Sequence, residues 1–185
     1  MAGIKKETQK IEKETRRFER KYLPEFVYGG MDGAITTFAV VSGVVGASLS
    51  SAVILILGFT NLFADGFSVA VSNYFSIKSK NELVRKPDKH PIKGAVATFF
   101  AFLLLGIIPL ISFIVAAITG NSAITGRQFE YSVLLTGLAL LIIGWFEGEV
   151  TEKHRLKSAV QTLVIGGIAA LLAFFVGYFI SHLIG

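Results

Sequence analysis

Five long apolar runs dominate the chain, and most charged residues lie between them. The runs cover about residues 26–46, 51–77, 95–118, 131–146 and 159–184. A helix needs about 20 predominantly apolar residues to cross a bilayer, and a soluble core would show shorter, alternating patterns. The pattern therefore predicts an all-α membrane protein with five transmembrane helices, which leaves no room for a second folded core.

The segment before the first run is charged throughout. We predict that residues 1–24 form a cytoplasmic helical arm and that residues 25–185 form the transmembrane domain. Pro24 predicts the boundary, because the residue before a proline is disfavoured in helical conformation. A seven-residue spacing of Ile4, Ile11 and Phe18 gives the arm a thin apolar stripe. Such a helix could lie on the membrane or against a partner arm, or be a solvated leader touching anionic lipid.

Composition adds charge and chemistry to this picture. The chain has 52% hydrophobic residues, a net charge of +5 and no cysteine, which excludes disulfides and thiolate metal ligands. All but Arg127 of the 18 lysines and arginines precede the first run or separate runs two from three and four from five. The positive-inside rule then places the N-terminus in the cytoplasm and the C-terminus outside. The basic residues are thus explained by the membrane, without nucleic acid as a partner.

Two aspartates interrupt the first two apolar runs. Asp32 and Asp65 are each followed by glycine, and neither run offers a lysine or arginine nearby. A carboxylate in hydrocarbon costs roughly 2.5 to 3.5 kcal/mol even on lenient insertion scales, so it is retained mainly where it handles an ion or a proton. Without a cationic partner, each must be protonated, solvated or neutralised by a bound cation. A cation/proton exchanger alternates between these states.

A four-residue turn places the two aspartates at one depth. Runs one and two are separated only by residues 47–50, so they must form an antiparallel hairpin. Asp32 and Asp65 are equally far from the centre of that turn, as are Thr36 and Asn61. Thr36 and Asn61 each lie four residues from their aspartate and therefore on the same helical face. Ser68 extends this face of the second helix toward the cytoplasm.

The predicted metal ligands are therefore Asp32, Asp65, Asn61, Thr36 and Ser68. Carboxylate, amide and hydroxyl oxygens favour hard or borderline divalent ions such as Mg²⁺, Mn²⁺ and Fe²⁺. The neighbouring thioether of Met31 points about 100° away around the helix, and we interpret it as a packing residue.

Other acidic groups have simpler interpretations. His90 with Glu82 and Asp88 could collect metal, but a lone loop histidine is more often solvated. Another acidic cluster lies at the end of run four and comprises Glu147, Glu149, Glu152 and His154. We interpret it as a solvated helix end in preference to a weak docking site. No catalytic triad, phosphate-binding loop or His-x-x-Glu pair occurs, so the sequence does not predict an enzyme.

Several residues predict helix packing. Pro109 should kink the third span and free a backbone carbonyl, and Trp145 is typical of an interfacial anchor. Small residues allow close helix approach in spans one and five, at Gly29, Gly33, Gly43, Gly46, Gly166, Ala170, Ala173 and Gly177.

The first two spans resemble a known family. The stretch at residues 28–43, with Asp32-Gly33 followed by Phe38-Ala39 and Gly43, is similar to the first span of the vacuolar iron transporter family. Residues 61–68 and 72–79 resemble its second span and exit. The resemblance is strong over residues about 26–82 and rests on span layout beyond them.

This resemblance implies a five-span dimer that moves Fe²⁺, and often Mn²⁺, out of the cytosol in exchange for protons, with Asp32 as a pathway ligand. Plant-like members carry methionine where this chain has Val69 and glutamate where it has Asn61, so Asp65 is the candidate replacement carboxylate. They also insert a metal-gathering domain between spans two and three, where this chain has only residues 78–93. The chain thus resembles a short, prokaryotic-type member without the cytoplasmic metal-binding domain.

We therefore predict a divalent-metal transporter that spans a prokaryotic plasma membrane several times as a homodimer, with metal as substrate and no cofactor. Protons would drive the exchange. Two alternatives stay open: a scaffold or anchor that transports nothing, and a divalent cation channel.

Overall fold

The computed structural model describes residues 2–84 and 89–184, with side chains from residue 21 onward. All regular secondary structure in these residues is helical. The α-helices are α1 (Ala2–Gly46), α2 (Ser51–Val84), α3 (Pro91–Gly106), α4 (Ile111–Thr119), α5 (Ser122–Thr125), α6 (Gln128–Val150) and α7 (Arg155–Ile184), and a 3₁₀ turn (Ile108–Leu110) joins α3 to α4.

Five segments of the described chain are long and apolar enough to cross a membrane. They are Lys21–Gly46, Ser51–Val84, Pro91–Thr119, Gln128–Val150 and Arg155–Ile184. The prediction of an all-helical fold with five spans is confirmed. The third span consists of α3, the 3₁₀ turn and α4 together.

The first span is the centre of the bundle. α1 packs most extensively against α3 and α7 and also contacts α2 and α6, whereas α2 packs mainly on α3. One apolar cluster joins α1 to α6 through Val27, Ala34 and Leu140, and another joins α1 to the third span through Val41 and Phe113. α2 and α7 lie at the periphery and expose most of their apolar surface, as expected for helices facing lipid or another subunit.

Pro24 does not interrupt the first helix, so the expected break in helical conformation there was wrong, while the division into an arm (1–24) and a transmembrane domain (25–185) stays a prediction. α1 runs from Ala2 to Gly46 with Pro24 inside it. A proline inside a helix removes one backbone hydrogen bond and costs about 3 kcal/mol. Buried residues on either side, Tyr22 and Val27, hold this part of α1 in the bundle. Tertiary packing therefore outweighs the local preference. The side chains of Ile4, Ile11 and Phe18 lie outside the described part of the chain.

Pro109 interrupts the third span as predicted. α3 ends at Gly106, and Pro109 lies in the 3₁₀ turn. The hydroxyl of Ser132 on α6 donates to the carbonyl oxygen of Pro109 at 2.6 Å. The kink thus ties the third span to the fourth, because a neighbouring side chain satisfies a buried backbone acceptor.

Glycines permit the close contacts of α1. A Cβ added to Gly33 would overlap the backbone oxygen of Phe102 on α3, and one on Gly46 would overlap the backbone of Phe174 on α7. On α7, a Cβ at Gly177 would overlap the backbone oxygen of Gly43. These contacts confirm that the small-residue pattern marks helix interfaces.

The bundle has two distinct ends. At the turn end, the hydroxyl of Ser181 donates to the carbonyl oxygen of Ala47 at 3.2 Å, which joins α7 to the α1–α2 turn. At the opposite end, which we call the basic end, the backbone N–H of His90 donates to the hydroxyl of Tyr22 at 3.0 Å. The basic end carries Lys21, Lys80 and Lys89 and the start of α3.

Candidate metal site

Asp32 and Asp65 lie at the same depth in the bundle. The glycines that follow them, Gly33 and Gly66, both pack against Phe102, which is fully buried on α3. The two carboxylates are also close enough for the charge of Asp65 to act on Asp32. The short α1–α2 turn and a shared contact on α3 therefore bring together the two acidic residues of the hairpin.

Neither carboxylate has a partner among the side chains that the structure describes. Both side chains are half-buried, and within residues 21–84 and 89–184 no side chain donates a hydrogen bond to them or forms an ion pair with them. Two negative charges at one level repel each other, so the doubly ionised state needs a counter-ion. A divalent cation or protons can fill that role.

A cavity of about 700 Å³ connects Asp32 with the basic end. α1, α2 and α3 form its walls, and we call it the inner cavity. Its polar lining includes Glu25, Asp32, Ser72, Asn73, Ser76 and Lys89. Met31 also lines it and packs against the α1–α6 cluster. Asp65 is not among the lining residues, so the pair is reached from this cavity through Asp32.

The other predicted ligands occupy different positions around the pair. Asn61 is half-buried, and its side-chain nitrogen is enclosed without a hydrogen-bond partner. The hydroxyl of Thr36 donates to the backbone oxygen of Asp32 at 2.9 Å, which leaves its lone pairs free to accept. Ser68 is exposed on α2 and does not line the inner cavity. The polar lining of α2 follows Ser72, Asn73 and Ser76 instead.

Sequence reasoning missed Glu25 as a cavity residue. It lies seven residues before Asp32, which is two helical turns and therefore the same face of α1. That spacing was visible in the sequence, but Pro24 suggested that the helix began there. Its ion pair with Lys89, with Nζ to Oε1 at 2.7 Å, joins residues far apart in the chain.

The acidic cluster at the end of α6 behaves differently. Glu149 is exposed and forms an ion pair with Arg155 at 3.5 Å, and the guanidinium of Arg155 lies 5.8 Å from the ring centre of Trp145. No group of three or more histidine, aspartate or glutamate side chains that could hold a metal occurs in the described chain. Glu82 and His90 are exposed there, and Asp88 lies outside the described residues.

The sequence matches the VIT family over residues 23–89 and 81–178. The chain belongs to the VIT family. This confirms the resemblance drawn from the first two spans and extends it through the remaining three. With its five apolar spans, this family member is an integral, multi-pass membrane protein.

Named relatives of this VIT family member include the vacuolar iron transporter of Toxoplasma gondii, 25% identical over 89% of this chain and 76% of the relative. Vacuolar iron transporter 1 of Eucalyptus grandis is 24% identical over 81% of this chain and 83% of its own length. Vacuolar iron transporter homolog 4 of Arabidopsis thaliana is 25% identical over 83% of this chain and 81% of its own length.

The lengths of these alignments show that the relatives differ in how many residues they carry that this chain lacks. The one with the Toxoplasma protein extends over 230 positions, more than the 185 residues of this chain, so that relative carries residues absent here. The alignment with the Arabidopsis homolog extends over only 167 positions. The two matched stretches overlap at residues 81–89, which include the last residues of α2 and precede α3.

Proposed function

We propose that this protein moves a divalent metal out of the cytosol in exchange for protons, with Fe²⁺ as the first candidate substrate and Mn²⁺ as the second. The observation that carries the proposal is the Asp32–Asp65 pair, whose members lie at one depth in the bundle and have no basic partner in the described part of the chain. The naming of relatives for iron transport supports iron as the first candidate.

The charges of the pair suggest how exchange could be coupled. With both carboxylates ionised, one divalent ion neutralises them, and after the metal leaves, two protons can do the same. Either loaded state is neutral, whereas the empty, doubly charged state is unfavourable in a low-dielectric surrounding. Because the unbound, doubly ionised pair is unfavourable, release of the metal is coupled to binding of protons, and release of protons to binding of metal.

The neighbouring groups suit an oxygen-liganded metal. The amide oxygen of Asn61 and the hydroxyl oxygen of Thr36 can complete a shell begun by the two carboxylates, with water in the remaining positions. The amide nitrogen of Asn61 is enclosed and has no hydrogen-bond partner among the described residues, so the polar groups at this depth are not all satisfied by the protein itself.

We also propose that the working unit is a two-fold dimer with its basic end in the cytoplasm. α2 is mostly exposed, although it carries Asp65 and Ser68. A second copy against α2 would cover these polar groups, and a two-fold axis places the same surface on both subunits. The clustering of basic residues at one end supports the orientation.

Reconstitution in liposomes tests the proposal. Purified protein is inserted into vesicles that contain a metal-sensitive dye or a pH-sensitive dye, and uptake of Fe²⁺, Mn²⁺, Co²⁺ and Mg²⁺ is compared. We expect Fe²⁺ and Mn²⁺ uptake with proton movement in the opposite direction, and faster uptake when a pH gradient is imposed in that direction.

The same assay separates the alternatives. A scaffold would give no uptake above that of empty vesicles. A channel would give uptake that is indifferent to the pH gradient and moves no protons. Either result would overturn the exchanger, and the Asp32→Asn/Asp65→Asn protein is the control for leak through the reconstituted bundle.

A further inference from the structure

The inner cavity contains a second acidic residue that the proposed exchange does not use. Glu25 and Asp32 lie on one face of α1 and both line this cavity. Seven helical residues separate them by about 10 Å along the axis. A cation that enters from the basic end would meet Glu25 first.

Glu25 is unusually enclosed for an acidic residue near the end of a membrane span. Its side chain is only 9% exposed, Oε1 accepts from Lys89, and Oε2 is buried without a hydrogen-bond partner among the residues whose side chains are described. A buried carboxylate oxygen without a hydrogen bond carries a large desolvation cost, and native structures contain few of them. The carboxylate therefore has unused capacity for a cation.

Glu25 also stands between two cavities. A second cavity, which we call the outer cavity, has a volume of about 340 Å³ and extends from Glu25 to Val84 near the end of α2. The two cavities share four lining residues: Glu25, Asn73, Lys80 and Lys89. The Glu25–Lys89 ion pair thus forms part of the boundary between them.

The backbone around Lys89 is anchored, while its side chain is long and flexible. The side-chain amide of Asn81 donates to the carbonyl oxygen of Lys89 at 2.7 Å, and the N–H of His90 donates to Tyr22. The ammonium group can therefore leave Glu25 by rotamer changes, without movement of the loop. Lys80 is exposed, so solvent screens its charge.

A polar acceptor lines the same two cavities as Glu25. The side-chain nitrogen of Asn73 donates to the hydroxyl of Thr98 at 2.7 Å, which orients the amide and leaves its oxygen as an acceptor. Carboxylate and amide oxygens with water form an ordinary ligand set for Mn²⁺ or Fe²⁺.

We propose that Glu25 is a second metal-binding site, on the path from the basic end to Asp32, and that the ammonium of Lys89 occupies it until a metal ion displaces it. This inference rests on the proposed transport function. In this arrangement Lys89 neutralises the site when no metal is present, and it competes with the incoming ion for the same carboxylate.

Transport kinetics in liposomes give the first test. Loss of the carboxylate in Glu25→Gln should raise KM for Mn²⁺ by about tenfold, the effect of one charge-assisted interaction. Loss of the competitor in Lys89→Gln should lower KM by about the same factor. Glu82→Gln is the matched control, because Glu82 is exposed at the same end and lines neither cavity.

The double variant Glu25→Gln/Lys89→Gln separates a binding site from a structural ion pair. Two amides can still hydrogen-bond, and removing both charges avoids an unpaired one. If the pair only joins the loop to α1, this protein should have the wild-type KM, which would overturn the proposal. If Glu25 binds metal, KM should stay about tenfold high while thermal unfolding is unchanged.

Direct binding of Mn²⁺ supplies a measurement that is independent of transport. Electron paramagnetic resonance would compare the full chain as Asp32→Asn/Lys89→Gln with the same chain carrying Glu25→Gln in addition. We expect bound Mn²⁺ only where Glu25 is intact. Equal binding by the two proteins would contradict a site at Glu25. Uptake that survives Asp32→Asn would instead contradict the proposed function.

Discussion

Two acidic regions of the protein differ in what surrounds them. The glutamates at the end of α6 are close together in sequence, and Glu149 is exposed and paired with Arg155. Asp32 and Asp65 are 33 residues apart, half-buried and without a basic partner within the described residues. The density of carboxylates is higher at α6, yet desolvation and missing counter-charge are found in the hairpin. Function is therefore expected where the charge is costly, and not where acids are most numerous.

The largest effect should follow removal of the charge on Asp32. Asp32→Asn keeps the shape of the side chain but leaves Asp65 without its partner, and it removes the carboxylate that lines the inner cavity. We expect metal uptake in liposomes to fall by at least about a hundredfold, because loss of a group that binds the metal directly should cost more than the roughly 10–100-fold lost with a group that only orients a ligand. Normal uptake by this variant would contradict the site.

Removal of the charge on Asp65 should have a smaller effect. Asp65 acts on Asp32 but does not line the inner cavity, so Asp32 would still be reached by metal. We expect Asp65→Asn to reduce uptake by on the order of tenfold to a hundredfold and to reduce the number of protons moved per ion. An unchanged proton stoichiometry would show that the two residues do not work as a pair.

A neutral ligand should matter less than either acid. Asn61→Leu removes an amide that is half-buried beside the pair and whose nitrogen has no partner. We expect uptake to fall by about tenfold, while thermal unfolding stays the same or shifts upward, because an unsatisfied polar group is replaced by an apolar one. Scanning calorimetry and the vesicle assay together check this result. A large loss of stability without a change in KM would indicate a packing role.

A substitution in the exposed acidic cluster at the end of α6 should have almost no effect on metal uptake. Glu149→Gln breaks a solvent-exposed ion pair with Arg155, which contributes less than about 1 kcal/mol to stability. We expect metal uptake within about twofold of wild type. The lost ion pair is weak and screened by solvent, so its removal should not affect the Asp32–Asp65 site. A loss of uptake comparable to that of Asp65→Asn would erase the contrast between the two regions.

Much of the site could be predicted because it depends on short-range geometry. The turn at residues 47–50 leaves the first two helices no choice but an antiparallel hairpin, so the equal depth of Asp32 and Asp65 follows from counting residues. The small residues of α1 and α7 likewise indicated helix contacts, although not which helix each would meet. Gly33 meets α3, whereas Gly46 meets α7.

The sequence by itself determined the five spans, the level of the two aspartates and the membership of the family, because these depend on local hydrophobicity, helix pitch and motif. Only the tertiary structure decided that α1 continues through Pro24, that Ser72, Asn73 and Ser76 rather than Ser68 line the cavity, and that Glu25 meets Lys89. Those features depend on how α1, α2 and α3 pack together. The energy of such long-range contacts outweighs the local preferences that a sequence pattern records.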